Sequence, residues 1–208
     1  MTLHDSMVDW DPSGFPKHDW TLFYREATES IPPKPNMPEP CGHSVQLNCF
    51  VDADHASNQL TRCSHTGILL YVNHSPIIWY SKHQNTVESS TFGSEFITTK
   101  IAVDQVEALQ IKLCMFGVPL DGPANMLVDN HSIVLNSTNP TSSLKKKHNA
   151  IAYHRVREAI ASNTICVAKA AGKKNLADLF TKILPSIDLV HLSWKILYFP
   201  DTFPCQYE

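Results

Sequence analysis

Two apolar runs in this chain, Cys49–Phe50–Val51 and Met126–Leu127–Val128, each stop at an aspartate, Asp52 and Asp129. A run of that kind reads as a strand buried on both faces. A carboxylate at its end is costly unless it is paired or bound to a cation. Two more acids stand in the same situation. Glu95 lies on the apolar stripe of a long helical stretch, and Asp178 follows the apolar Leu176–Ala177. Any fold for this chain must therefore bring buried strand ends and these acids into one solvable arrangement.

The order of elements narrows the fold. Val45–Val51 reads as a central strand, followed by strands at Thr66–Val72 and Pro76–Tyr80, with Asn73–His74–Ser75 as a hairpin turn. Ser89–Ser90–Thr91 supplies hydroxyl caps for a long helix toward Gly117. Asn125–Val128 is a fourth strand, with a short helix after Asp129. A helix over 149–162 is predicted to carry Ile151, Val156, Ala159 and Ile160, and Thr164–Ala168 is the fifth strand. Asn175–Phe180 is expected to open the last helix of the core. Three strands, helix, strand, helices, strand, helix make a mixed α/β sheet with helices on its faces.

On the long helix, at 100° per residue, positions 102, 106, 109 and 113 fall within about 40° of Glu95. They hold Ala102, Val106, Leu109 and Leu113, so Glu95 points toward the sheet, although an acid in a first turn also suits the helix dipole. Asp52 and Asp129 sit at strand C-terminal ends, where open α/β sheets bind ligands. Capping alone would account for Asp178. Taken together, the four acids suit divalent metal ions about 3.5–4 Å apart acting on phosphate, and all-oxygen ligation suits magnesium.

Elsewhere the chain is ordinary or restrictive. Six cysteines show no CxxC pair or zinc-ligand spacing, which favours free thiols in a reducing compartment. No apolar run is long enough for a membrane helix, and the N-terminus does not begin as a signal peptide, so an intracellular, non-secreted protein is expected. There is no Gly-rich phosphate loop and no nucleophile–base set. Net charge is −3, but residues 141–185 hold nine Lys or Arg against two acids, while residues 1–44 hold seven acids against three bases. One basic face is implied, and Lys145–Lys146–Lys147 before the helix bearing Arg155 is either a phosphate contact or a solvated basic turn. Residues 1–44 lack periodicity, their proline run reads as extended linker, and Trp10, Trp20, Phe23 and Tyr24 are available to dock on another surface. Trp79 on the third strand reads as core.

At the acids the chain also resembles a known family. Phe50–Val51–Asp52–Ala53–Asp54–His55–Ala56, Thr66–Gly67, Ile78–Trp79–Tyr80–Ser81–Lys82, Gln84–Phe96, Val128–Asp129–Asn130, Leu144–Arg155 and Asn175–Lys182 are similar to the ribonuclease H domain of copia-type retrotransposon Pol polyproteins. The resemblance covers roughly residues 46–185. It implies a ribonuclease H-like fold, a five-stranded mixed sheet with the first three strands antiparallel and helices on both faces. It implies hydrolysis of the RNA strand of RNA–DNA hybrids with two Mg2+ (or Mn2+) ions, and it makes Asp52, Glu95, Asp129 and Asp178 both catalytic residues and metal ligands, with Asp54 supporting them. It tilts Lys145, Lys146, Lys147 and Arg155 toward the DNA strand, and it puts His131 where relatives often carry an amide or acid that contacts nucleic acid. Residues 1–44 become a connection segment, 45–185 the domain and 186–208 a tail. The partners implied are the hybrid and the reverse transcriptase domain of a parent polyprotein. Since the chain has no polymerase palm and no YxDD, it is expected to be a fragment of such a polyprotein, or a catalytically silent remnant that keeps the fold and weak nucleic-acid binding.

Overall fold

The structure is a computed structural model that describes residues 18–25, 38–144, 147–170 and 174–197. Lys145, Lys146, most of the proline run and the end of the tail lie outside those residues. Five strands form one sheet: β1 (Leu47–Asp54), β2 (His65–Val72), β3 (Ser75–His83), β4 (Ala124–Val128) and β5 (Ile165–Lys169), in the order β3-β2-β1-β4-β5. β1 pairs antiparallel with β2 and parallel with β4, β2 pairs antiparallel with β3, and β4 pairs parallel with β5. The fold expected from the sequence is present, with both apolar runs at its centre. β1 and β4 are buried along nearly their whole length, which is why neither alternates in hydrophobicity.

One face is covered by α1 (Thr91–Met115), α2 (His131–Thr138) and α3 (Ala150–Ala161). Its core joins Cys49, Val51, Ile68, Leu70, Met126 and Val167 of the sheet to Phe96, Val103, Val106, Tyr153 and Val156. Helix α1 starts at Ser90, whose hydroxyl accepts from Gly93 N–H. It stops at Gly117, where φ of +72° and a bond from Val118 N–H to Leu113 C=O end the ladder. On α3 the predicted stripe is partly shifted: Val156 and Ala159 are buried, Tyr153 joins them, and Ile151 is exposed.

The opposite face carries a smaller core of Phe50, Leu69, Tyr71, Leu127 and Ala168, covered by Leu176 and Ala177 and by Leu192 of α4 (Ser186–Ser193). The segment bearing Asp178 is a single stretch of 3-10 helix, Leu176–Phe180, in place of the predicted helix. It lies too close to the sheet for a helix of full width. A Cβ on Gly67 of β2 would come within 2.5 Å of Thr181 Cγ2 and 2.8 Å of the Ala177 carbonyl oxygen. Trp79 also departs from expectation: β3 is the edge strand, Ile78 and Tyr80 point into the larger core, and Trp79 is 68% exposed.

Trp20 and Tyr24 dock on the domain itself. They pack around the buried Arg157 of α3, whose guanidinium lies 5.2 Å from the Trp20 ring centroid, 5.6 Å from Tyr24 and 4.9 Å from Tyr153. The same guanidinium donates to the carbonyls of Pro140, Asn136 and Ser142, so it serves the interior and not a ligand. Phe23 is half exposed.

Candidate active site

Parallel pairing of β1 with β4 places Val51 beside Val128, so Asp52 and Asp129 emerge side by side where that pairing ends. Strand β1 itself runs two residues past the expected end, to Asp54, paired with β2 alone. The 3-10 helix brings Asp178 to them from the smaller-core face. Oxygens of Asp52, Asp129 and Asp178 all lie within 4.8 Å of one another. Glu95 approaches from α1, lining a small recess with Asp52, Thr99, Asp129, Val51 and Val128. All four predicted acids therefore meet at one end of the sheet, three in a tight cluster and Glu95 across the recess.

Polar fastenings hold each acid. The Asn175 side chain donates to the Val51 carbonyl at 2.9 Å and accepts from Ala177 N–H at 3.2 Å, tying the 3-10 helix to β1. The Thr181 hydroxyl donates to Asp52 Oδ2. Asn130 caps α2 by accepting from Ser132 N–H at 2.8 Å, which fixes the turn directly after Asp129. Gln84 is buried and donates to the Ser94 carbonyl (2.9 Å) and to the hydroxyls of Thr98 and Thr66 (3.0 and 3.2 Å). That network anchors the first turns of α1 to β2 and so sets the position of Glu95.

Close carboxylates repel, and burial penalises their charged forms. Burial, reinforced by the charge of Asp129 and opposed by a hydrogen bond from Asn130, pushes Glu95 up to about 7. Burial raises Asp178 to about 6, with Lys182 opposing and Asp52 adding to the shift. Asp129 is also raised, by burial and then by Asp52.

Lys182, at the end of the Asn175–Lys182 motif, supplies the missing positive charge. Its Nζ lies 2.8 Å from Asp178 Oδ1, 3.2 Å from Asp52 Oδ1 and 3.9 Å from Asp129 Oδ2. Partial burial works against the ammonium, but the bond to Asp178 and the charges of Asp52 and Asp178 outweigh it and hold the lysine well above its usual range. The available signal was its position four residues after Asp178, where an acid and a base share one helical face. Its ammonium marks the cation-binding centre of the cluster, and hard carboxylate oxygens around that centre fit a magnesium or manganese ion.

The nucleic-acid candidates are spread more widely. His131 is exposed at the start of α2, two residues from Asp129, and Lys147 is exposed before α3. Arg155 is turned toward α1, paired with Asp104 (3.3 Å) and Glu107.

An α/β sheet of this order with an acid cluster at its carboxyl end defines a ribonuclease H-like domain. The N-terminal RNase H domain of a Mycobacterium tuberculosis protein superposes with a TM-score of 0.52 at 12% identity, covering 73% of this chain and 98% of that one. LC11-RNase H1, isolated from compost and solved with an RNA/DNA hybrid, gives 0.51 at 12% identity over 65% of this chain and 94% of that one. In sequence, the retrovirus-related Pol polyprotein from transposon RE2 of Arabidopsis thaliana is 28% identical over 155 residues, 74% of this chain. That from transposon TNT 1-94 of Nicotiana tabacum is 30% identical over 144 residues, 69% of this chain. No protein-family model matches the chain. The chain belongs with the ribonuclease H domains of retrovirus-related Pol polyproteins, and it spans 11% of the length of these two relatives.

Proposed function

We propose that this chain hydrolyses the RNA strand of RNA–DNA hybrids in a divalent-metal-dependent reaction, as the ribonuclease H part of a copia-type retrotransposon Pol polyprotein. The observation that carries this reading is the convergence of Asp52, Asp129 and Asp178 within 4.8 Å on a ribonuclease H-like sheet. Asp52, Asp129 and Asp178, joined by Glu95, would hold two Mg2+ or Mn2+ ions, and such ions activate water and stabilise charge on a phosphoryl group. The protein's own contribution is placement. Thr181 orients Asp52, Asn175 docks the segment bearing Asp178, and Gln84 fixes the helix bearing Glu95. Glu95, raised to about 7, is only partly ionised near neutral pH, and a bound cation would offset the surrounding charge and favour its ionised form. Lys182 must give up part of its hold on the cluster for a cation to enter.

On this reading residues 45–185 are the domain, 1–44 its connection to a reverse transcriptase domain and 186–208 a tail, within an intracellular complex. Lys145, Lys146 and Lys147 would follow the DNA strand and His131 the RNA strand. Arg155, paired with α1, would bend the local field more than touch a phosphate. Among the described residues no helix is long and apolar enough to cross a membrane.

The silent remnant keeps one observation on its side, since the Lys182 ammonium already lies within the acid cluster. Incubation of the full chain with a labelled hybrid and Mg2+ or Mn2+ separates the two readings. Cleavage of the RNA strand that falls to background in Asp52→Asn supports the enzyme. Hybrid binding without cleavage by the unmutated chain establishes the remnant.

A further inference from the structure

One pleat beyond the acid cluster, the sheet carries a second row of ligating side chains. Asp54 pairs in register with His65, and His65 with His83. Residues directly opposite one another on neighbouring strands share a face, so the three continue the row Asp52–Gly67–Ser81 on the smaller-core side. We propose that His65 and His83 form a two-histidine site for a borderline transition-metal ion of the zinc class, separate from the oxygen-only acid cluster.

The hydrogen bonds fix the chemistry. Ser81 Oγ donates to the Phe180 carbonyl at 2.7 Å, which uses its only proton. His65 Nε2, 2.8 Å from the same Oγ, must then be the donor, which leaves Nδ1 of His65 with a bare lone pair. A ring N–H donated to a neighbouring oxygen is the arrangement that orients metal-ligating histidines. The bare Nδ1 faces Nδ1 of His83 at 3.3 Å, the rings being nearly perpendicular at 75°. Two nitrogens bound at about 2.0–2.1 Å to a tetrahedral ion lie about 3.3–3.4 Å apart. The pair thus has the spacing of one edge of a tetrahedral shell. Without metal, one proton on His83 bridges the two nitrogens, and an incoming ion displaces it. Burial and the nearby His83 keep His65 below the ordinary imidazole range, which favours the neutral ligand form. Imidazole nitrogen selects zinc-class ions over magnesium, so the two sites differ in the metal they accept. Water completes the shell.

Zn2+ titration of the full chain in excess Mg2+ tests the assignment by calorimetry. One Zn2+ equivalent is expected in the unmutated chain and in Asp129→Asn, and it is expected to disappear in His83→Ala. His83 is exposed, so this variant retains the fold. Ser81→Ala, which frees the His65 tautomer, is expected to weaken that equivalent about 10–100-fold. Identical titrations for the unmutated chain and His83→Ala would overturn the site, as would loss of the equivalent in Asp129→Asn. Neither result depends on whether the chain cleaves a hybrid.

Discussion

The two faces of the sheet are built differently. Under α1 and α3 the core is broad and apolar, with Phe96, Val103, Val106 and Met126 fully buried. The other face is covered by five residues of 3-10 helix and by α4, and its apolar cluster is about half the size among the described residues. What it lacks in apolar area it replaces with specific bonds, from Asn175 to β1, from Thr181 to Asp52 and from Ser81 to the Phe180 carbonyl. Apolar burial is non-directional and stabilises without fixing an atom's position, whereas hydrogen bonds fix positions at modest net gain. The acid cluster sits at the seam, with Glu95 supplied by the thick face and Asp178 and Lys182 by the thin one. Stability and aim are thus divided between the faces.

Gly67 is the point at which that division breaks most easily. Alanine there puts a methyl group 2.5–2.8 Å from Thr181 and from the backbone of Ala177, and backbone cannot move aside as a long side chain can. Overpacking of this kind costs about 1–3 kcal/mol. Gly67→Ala is expected to lose about that much in urea unfolding. It should also lose Mg2+ affinity at the acid cluster, because the 3-10 helix carrying Asp178 must lift. Unchanged Mg2+ affinity would mean that the thin face does not aim the site.

A smaller effect follows from the raised acids. Glu95 rises from 4.5 to about 7 and Asp178 from 3.8 to about 6. Folding of the metal-free protein therefore takes up protons across this range, and its stability falls as pH rises from about 4 to 7. The penalty is absent below the unfolded values and fully present above the folded ones. Both groups are partly solvated, so screening leaves about 1–2 kcal/mol in total, or roughly 2–8 °C in melting temperature for a chain of this size. In EDTA, melting temperature is expected to be lower at pH 8 than at pH 5.5, and Mg2+ should restore more at pH 8. Asp178→Asn should flatten the slope. A melting temperature in EDTA that rises with pH over this window would contradict the charge assignment.

Much of this arrangement was legible in the residues. Runs that end at Asp52 and Asp129 can only be central strands, since both of their faces must be apolar. The stripe through Ala102 and Val106 aimed Glu95 correctly because a long helix keeps its period. Asp178 was harder to read. Its neighbours Leu176 and Ala177 fit a helix as well as a 3-10 turn, and the choice depends on Gly67, more than a hundred residues earlier. Lys182 was hidden for the same reason, because its partners Asp52 and Asp129 are remote in sequence. His65 and His83 carry no local pattern at all, since only strand register makes them neighbours.

Trp79 gives the smallest effect and the cleanest contrast between the faces. Pro76–Ile77–Ile78–Trp79–Tyr80 is apolar throughout, so the sequence alone offers no alternation to tell one side from the other. In the sheet, Trp79 is in register with Leu69, which is fully buried on the same thin face one strand inward. The 3-10 helix meets the edge strand at Ser81, whose hydroxyl donates to the Phe180 carbonyl, but Trp79, two residues before it, stays 68% exposed. Trp79→Ser is therefore expected to change stability by less than about 0.5 kcal/mol, measured by urea unfolding of the full chain. A loss of several kcal/mol, the ordinary cost of removing a buried aromatic ring, would show that the thin face covers Trp79 and that its apolar contribution is larger than its described core implies.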